Sequence, residues 1–283
     1  MRYPIKKRET GQRLELTLSL YAEQVSLVVD KTRCLKCEVC STVCPRQAVS
    51  IISGEVDLDI TIDPRICVLC EVCSHFCPTG AVTLFYNGQP KTILADHQGM
   101  ADFYPSITID TAKCPEPCPP LPEGEVHWCR QERRLIPNTL TDCPKNCRVC
   151  LDACPRQVIQ LAEDRSHVFP QPELCLRCSQ CLLLCRTQAI EISPKFIGRV
   201  IIRDELCPVS CTKCIDLCPV KAIVREGERV YLQNETCSLC GVCRNICDEG
   251  AITIIREEVV ALPGEFSHVW DEAVARLTSG GGL

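Results

Sequence analysis

Cys34-Leu35-Lys36-Cys37-Glu38-Val39-Cys40-Ser41-Thr42-Val43-Cys44-Pro45 decides the reading of this chain. Its cysteines follow C-x2-C-x2-C-x3-C. The same spacing returns at Cys67, Cys70, Cys73 and Cys77, followed by Pro78. Of 283 residues, 27 are cysteine, which leaves two classes, a disulfide scaffold or a metal-thiolate protein. The disulfide class fits poorly. The count is odd, the chain is long for such a scaffold, and no apolar core follows the basic opening Arg2, Lys6, Lys7, Arg8 as a secretory leader requires. Thiolates kept free for metal imply a reducing, anaerobic cytoplasm. Zinc prefers two separated cysteine pairs, whereas three cysteines at x2 intervals plus a distant fourth wrap a larger group.

The double run resembles the bacterial-type ferredoxin module, which holds two iron–sulfur cubanes. In that module the first three cysteines of a run hold one cluster and the fourth reaches across to the other. The resemblance implies Cys34, Cys37, Cys40 and Cys77 for cluster one, and Cys67, Cys70, Cys73 and Cys44 for cluster two. Later runs widen the first gap by one residue, at Cys143-Pro144-Lys145-Asn146-Cys147 and Cys207-Pro208-Val209-Ser210-Cys211. The same crossing implies Cys143, Cys147, Cys150 and Cys185 for cluster three, and Cys175, Cys178, Cys181 and Cys154 for cluster four. Cluster five takes Cys207, Cys211, Cys214 and Cys247, and cluster six takes Cys237, Cys240, Cys243 and Cys218. No run lacks its second cysteine, so six four-iron clusters are expected. Cys185 and Cys247 lack the proline that follows the other fourth cysteines.

Each run is preceded by a β-branched lead strand, such as Val28-Val29-Asp30 or Ile60-Thr61-Ile62-Asp63, and followed by a trailing stretch such as Gln47-Ala48-Val49 or Gly80-Ala81-Val82. This reads as strand, cysteine loop, short helix, strand, repeated at ~30 residues. The expected fold is α+β: three tandem ferredoxin-like dicluster modules of short antiparallel strand pairs and short helices. The divisions are an N-terminal strand extension over 1–27, module one over 28–86, an irregular insertion over 87–138, module two over 139–195, module three over 196–256, and a C-terminal helix and flexible tail over 257–283. Leu14, Leu16, Leu18 and Leu20 alternate with polar residues, which predicts a half-buried strand padding module one, an edge for a partner chain being the alternative. Val269, Trp270, Ala273, Val274 and Leu277 fall at helical spacing, which predicts a helix folded back on module three, with Ser279 to Gly282 disordered.

The insertion carries a copy of a lead strand, Ile107-Thr108-Ile109-Asp110, then Cys114-Pro115-Glu116-Pro117-Cys118, and then the pattern fails. Cys114, Cys118 and Cys129 are left over. They read as a decayed run, as a separate metal site with His127, or as a source of one replacement for Cys143.

Net charge is −5 before thiolates are counted, which argues against nucleic acid, and no apolar run approaches the ~18 residues of a membrane span. No phosphate loop, dinucleotide fingerprint or H-E-x-x-H occurs. The chain therefore reads as an electron conduit and not an enzyme, with a structural role for the clusters as the rival from another class.

The span 28–255 resembles the polyferredoxins, chains of tandem dicluster modules. It is most similar to the polyferredoxin component of formylmethanofuran dehydrogenase in methanogenic and related archaea, on Arg8-Glu9-Thr10-Gly11-Gln12-Arg13-Leu14 and the C-P-x-x-C openings. That component is usually larger, whereas this chain has three intact modules and a remnant. The resemblance implies electron delivery to a molybdenum or tungsten enzyme reducing CO2, and a bridge to a heterodisulfide reductase, hydrogenase or formate dehydrogenase. A hydrogenase-associated polyferredoxin or free carrier is the rival of the same class.

Overall fold

The computed structural model describes residues 5–53, 58–110, 126–129, 134–137, 149–154, 157–161, 168–171, 175–185, 189–233 and 236–279. The first repeat shows the pattern most completely. Strands β1 (Lys6–Glu9), β2 (Arg13–Ser19) and β3 (Gln24–Asp30) precede helix α1 (Val39–Val43). There follow β4 (Val49–Ser53), β5 (Leu58–Ile62), α2 (Val72–Phe76) and β6 (Val82–Tyr86). The two outer strands, β3 and β6, pair antiparallel, with Val29 opposite Val82, and β4 and β5 form an inner hairpin. Each lead strand closes on a trailing strand in one way. The Asp30 N–H donates to the Ala81 carbonyl at 2.8 Å, and the Asp63 N–H donates to Ala48 at 2.9 Å. One-turn helices of this kind do not persist alone in water. Here Val39, Val43, Val72 and Phe76 are buried beneath them.

The alternating leucines behave as the padding reading expects. Leu14 and Leu16 point inward from β2, which is paired with β3 on one side and covered by β1 on the other. A short strand β7 (Gln89–Pro90) extends the sheet beside β6, and helix α3 (Ile93–Asp96) follows. The Glu71 carboxylate accepts both the Ile93 and the Leu94 N–H at 2.7 Å, so an acidic side chain from a cysteine loop caps this turn.

Strand β8 (Ile107–Ile109) lies within the stretch that the sequence pattern assigns to the insertion. It pairs with a strand far downstream. The intervening elements are β9 (Val126–Cys129), β10 (Arg134–Pro137), α4 (Val149–Ala153), β11 (Ile159–Leu161), β12 (Val168–Pro170), α5 (Gln180–Leu184) and β13 (Ile190–Ile192). Ile107 stands opposite Ile192 and Ile109 opposite Ile190, and the Asp110 N–H donates to the Ala189 carbonyl at 2.8 Å. This is the Asp30–Ala81 closure again. Ile107–Ile109 is therefore a working lead strand, and the irregular stretch interrupts the second repeat instead of preceding it. The failed cysteine spacing after Asp110 hides this in the sequence. Within the stretch, β9 and β10 form a hairpin that periodicity did not announce, with Cys129 opposite Arg134.

The third repeat restores the first. Strand β14 (Phe196–Ile202) pairs with β17 (Ile252–Val259), enclosing α6 (Lys213–Leu217), the hairpin β15 (Ile223–Glu226) and β16 (Arg229–Leu232), and α7 (Val242–Asn245). The last helix, α8 (His268–Thr278), does fold back on β17, but it also lies against α1. Arg276 there donates to the Cys44 carbonyl at 2.7 Å. The helix thus ties the first repeat to the third. The expected disordered tail begins at Ser279, and 280–282 lie outside the described residues.

The first and third repeats share one core, in which Val39, Val43, Val72 and Phe76 pack with Leu239, Val242, Ile254, Trp270 and Leu277. Phe76 stacks on Trp270 with centroids 5.1 Å apart. Through this interface runs a buried ion cluster. Glu38, between Cys37 and Cys40, pairs with Arg244 and, at 2.8 Å, with Arg256. Arg256 also donates to the Leu239 carbonyl at 2.7 Å, inside the loop of Cys237 to Cys240. Gly241 sits below at φ +95°, and a Cβ there would come within 2.5 Å of the Glu38 side chain.

Removing one partner of a buried pair strands a charge and costs about 3–5 kcal/mol, whereas apolar replacement of both is often neutral. Glu38→Ala is therefore expected to lower the anaerobic unfolding midpoint clearly. Glu38→Met combined with Arg256→Met is expected to recover much of the loss. A single variant as stable as the parent contradicts a structural role for this cluster.

Candidate metal centres

The cysteine loops share an unusual backbone. The residue before the second cysteine is left-handed at Lys36, Leu69, Arg177 and Leu239, with φ between 51° and 57°. The third residue after the fourth cysteine is left-handed at Gln47, Gly80, Gln157, Lys221 and Gly250. Most of these positions are not glycine, and a non-glycine residue held there costs ~1–3 kcal/mol unless its surroundings enforce it. The geometry turns successive N–H groups inward. Ala48 N–H reaches Cys44 Sγ, Val158 reaches Cys154, Ala222 reaches Cys218 and Ala251 reaches Cys247, each at 3.3 Å. Lys36 N–H reaches Cys34 Sγ at 3.3 Å, and Arg177 reaches Cys175 at 3.4 Å. Such donors favour thiolate over thiol.

Burial opposes ionisation. It pushes Cys178 and Cys237 up to about 12 and Cys214 up to about 11. Cys37, Cys40 and Cys73 are driven well above an ordinary thiol by the same desolvation. These sulfurs are inert unless a cation compensates them.

No disulfide joins the described cysteines. They gather in crossed sets. Cys34 and Cys37 both feel Cys77, while Cys67, Cys70 and Cys73 feel Cys44. Cys175, Cys178 and Cys181 gather on Cys154. Cys237, Cys240 and Cys243 gather on Cys218, and Cys214 lies with Cys207, Cys211 and Cys247. Two cavities make the grouping concrete. One is lined by Cys207, Cys211, Cys214 and Cys247. Another is lined by Cys154, Cys175, Cys178 and Cys181. Among the described residues no three Cys, His, Asp or Glu side chains converge as a single metal ion would require. Spaces walled by three sulfurs of one run and the fourth of its mate, and supplied with N–H donors, suit a cubane better than zinc.

Cys150 lies near Cys181, but Cys143 and Cys147 fall outside the described residues, as do Cys114 and Cys118. Cys129 ends β9, which runs alongside α4. The separate metal site drawn from Cys114, Cys118 and Cys129 thus lies mostly outside the described residues.

Sets also approach one another, which the sequence did not foretell. Cys40 feels Cys73 within the first repeat, Cys181 feels Cys150 within the second, and Cys243 feels Cys214 within the third. Between repeats, Cys37 and Cys240 lie in one apolar cluster. Cys178 packs in one apolar cluster with Cys218 and Cys237, and Gln180 donates to the Val220 carbonyl at 2.7 Å across that contact.

A family model, the 4Fe-4S dicluster domain, matches residues 33–81 and 174–222. The second match straddles the second and third repeats. Linear spacing runs on from Cys175 to Cys218, whereas the fold pairs the Cys175 run with Cys154 through β8 and β13. Hydrogenase-4 component A of Escherichia coli is 28% identical over 95 residues, 30% of this chain and 46% of that protein. Polyferredoxin protein MvhB of Methanothermus fervidus is 27% identical over 94 residues, 30% of this chain and 22% of that protein. The chain thus spans less than half the length of either relative. Over its whole length the fold resembles a chain of the formate dehydrogenase–heterodisulfide reductase–formylmethanofuran dehydrogenase complex from Methanospirillum hungatei. That likeness has a TM-score of 0.73 and 23% identity, and covers 98% of this chain and 92% of that one. An uncharacterized ferredoxin of Methanocaldococcus jannaschii is 33% identical over 45 residues, 16% of this chain and 73% of that protein, and with its two 4Fe-4S dicluster matches the chain belongs to the ferredoxins.

Proposed function

We propose that the chain is an electron-transfer subunit that carries six 4Fe–4S clusters and passes single low-potential electrons between redox enzymes. The observation that carries this reading is the pair of cavities, each bounded by three cysteines of one run and the fourth of its mate. Bound there, a cubane supplies reversible one-electron storage at low potential. Ligation by four thiolates leaves no iron position for substrate, so the chain is read as no enzyme in its own right.

The protein's part is to hold, space and shield. The ligand sets are those of the crossing: Cys34, Cys37, Cys40 and Cys77 for one; Cys67, Cys70, Cys73 and Cys44 for two; Cys175, Cys178, Cys181 and Cys154 for four. Cys207, Cys211, Cys214 and Cys247 hold five, and Cys237, Cys240, Cys243 and Cys218 hold six. Cluster three completes the series with Cys143, Cys147, Cys150 and Cys185. Contacts between sets support a route of three, four, six, one, two, with five attached to six. Glu38 and Arg256 fix the spacing between one and six, because each belongs to, or bonds to, the loop of one set. Leu206 and Val209 are exposed next to Cys207 and Pro208, so the cage of five has an accessible apolar side that suits exchange with a partner.

For that partner we propose a molybdenum- or tungsten-dependent formylmethanofuran dehydrogenase, on the likeness of 8–14 and the C-P-x-x-C openings to its polyferredoxin component. The fold likeness to a chain of a complex containing that enzyme supports it. A second reading, a relay serving a hydrogenase, is favoured by similarity to Hydrogenase-4 component A. Anaerobic affinity purification from the native source distinguishes them by whether molybdenum or tungsten, or nickel, comes with the chain.

Anaerobically prepared protein is expected to hold about 24 irons and as much acid-labile sulfide per chain, and to give EPR signals on reduction by dithionite. Iron content far below this, or cages that stay oxidised, overturns the relay. Cys77→Ala is expected to reproduce the EPR and iron losses of Cys37→Ala. If it instead matches Cys70→Ala, the crossing of fourth cysteines is wrong.

A further inference from the structure

Lys195 opens the third repeat, just before Phe196, yet its side chain is buried inside the first. Its Nζ donates to the Phe76 carbonyl at 2.8 Å and lies 3.4 Å from that of His75. The ammonium sits 3.9 Å from the centroid of the Phe103 ring and 5.9 Å from that of Phe76. His75 contributes no carboxylate-like partner. Its Nε2 is engaged with the Ala101 carbonyl at 2.7 Å, and burial keeps the ring neutral by lowering its pKa. Arg177, the nearby guanidinium, adds like charge and is turned to the carbonyls of Ser193 and Tyr104.

Two carbonyl dipoles and two ring faces are a weak return for a cation taken wholly out of water. Burial is the chief cause that brings the Lys195 pKa down to about 7. The groups that pull the other way are Cys77 and Cys37. They come from different loops, 40 residues apart in sequence, and are joined only by belonging to one crossed set. The geometry agrees: Lys195 bonds to the carbonyl of Phe76, next to Cys77, and Cys37 lies in the same buried core as Phe76, so the lysine stands by the set to which both cysteines are assigned. Four thiolates around a cubane leave a net negative cage, and reduction adds one more negative charge to it. Net charge near a cluster is one of the quantities that sets its potential.

We propose that Lys195 is the counter-charge that sets the potential of the cage formed by Cys34, Cys37, Cys40 and Cys77. By favouring the reduced form it makes this cage an electron-holding station between the cages of two and six. The proposal rests on the cluster assignment above. It also explains why a lysine from the third repeat is threaded into the aromatic box of the first: the box excludes water, and in low dielectric the charge acts at greater strength.

The test is an EPR-monitored anaerobic titration with dithionite as electron donor, comparing the parent with Lys195→Met, which keeps the length and apolar stem and removes the charge. The expected result is an iron content equal to the parent and one couple moved to lower potential. The shift should be at least tenfold in the reduction equilibrium, or 59 mV for a one-electron couple. The couple that moves should be the one altered in Cys77→Ser. If Met lowers iron content, Lys195→Gln carries the same expectation, since its amide still donates to the carbonyls without a charge. Lys195→Arg should leave that couple nearer the parent than Met or Gln does. No shift, a shift to higher potential, or a shift confined to a couple untouched by Cys77→Ser overturns the proposal. A parent lacking the expected iron would instead remove the cluster assignment beneath it.

Discussion

The constraint on which this molecule depends is that buried sulfur cannot ionise by itself. Each cysteine loop takes its thiols out of water, which drives their pKa upward, and simultaneously turns backbone N–H groups onto them. The two tendencies are reconciled only by a cation held between several sulfurs. The left-handed residues at Lys36, Gln47, Leu69, Gln157, Arg177, Lys221 and Leu239 are the local cost of that arrangement. Chains with so few aromatics have limited apolar material for a core. In the proposed function the metal cages serve as folding elements as well as redox groups, as in other small metal-held domains.

Under the proposed crossing of the fourth cysteine, each repeat is indivisible. A run whose last sulfur belongs to the other cage cannot fold alone, so two runs and their strands close together. The strand pattern enforces the same pairing independently of sulfur: β3 with β6, β8 with β13, and β14 with β17, each outer pair joined where the lead strand ends by a bond to an alanine after the fourth cysteine. Above the repeats, a second level of contact comes from ordinary packing. The shared core of Val72, Phe76, Trp270 and Leu277, the Glu38–Arg256 pair and the Gln180–Val220 bond bring cages of different repeats into proximity.

Most of the local order was legible in the sequence. Cysteine spacing marked the loops, β-branched stretches marked the strands, and alternating leucines marked β2. The crossing of fourth cysteines is what the likeness to ferredoxin modules implies, since spacing alone does not say which run a sulfur serves. Three things were not legible. The lead strand at Ile107 was visible as a copy, but the breakdown of the cysteine run behind it hid which repeat it serves, and only its pairing with Ile190–Ile192 assigns it to the second. The bridging role of the last helix depends on Arg276 meeting carbonyls at Cys44 and Pro45, a contact between distant parts of the chain that periodicity cannot encode. The packing of Cys37 and Cys240 in one cluster, and the seating of Lys195 beside Phe76, arise from docking between repeats. Sequence patterns describe one repeat at a time, and such contacts have no local signal.

The central claim is that the sulfur-walled spaces hold multi-iron cubanes shared between runs. Anomalous diffraction at the iron edge, from a crystal grown without oxygen, tests it most directly. The account predicts iron-rich density filling the space bounded by Cys207, Cys211, Cys214 and Cys247, and the space bounded by Cys154, Cys175, Cys178 and Cys181. It also predicts the Cys77 sulfur bonded to the iron of Cys34, Cys37 and Cys40. A lone metal ion in either space, or Cys77 bonded to the iron of its own run, would contradict it.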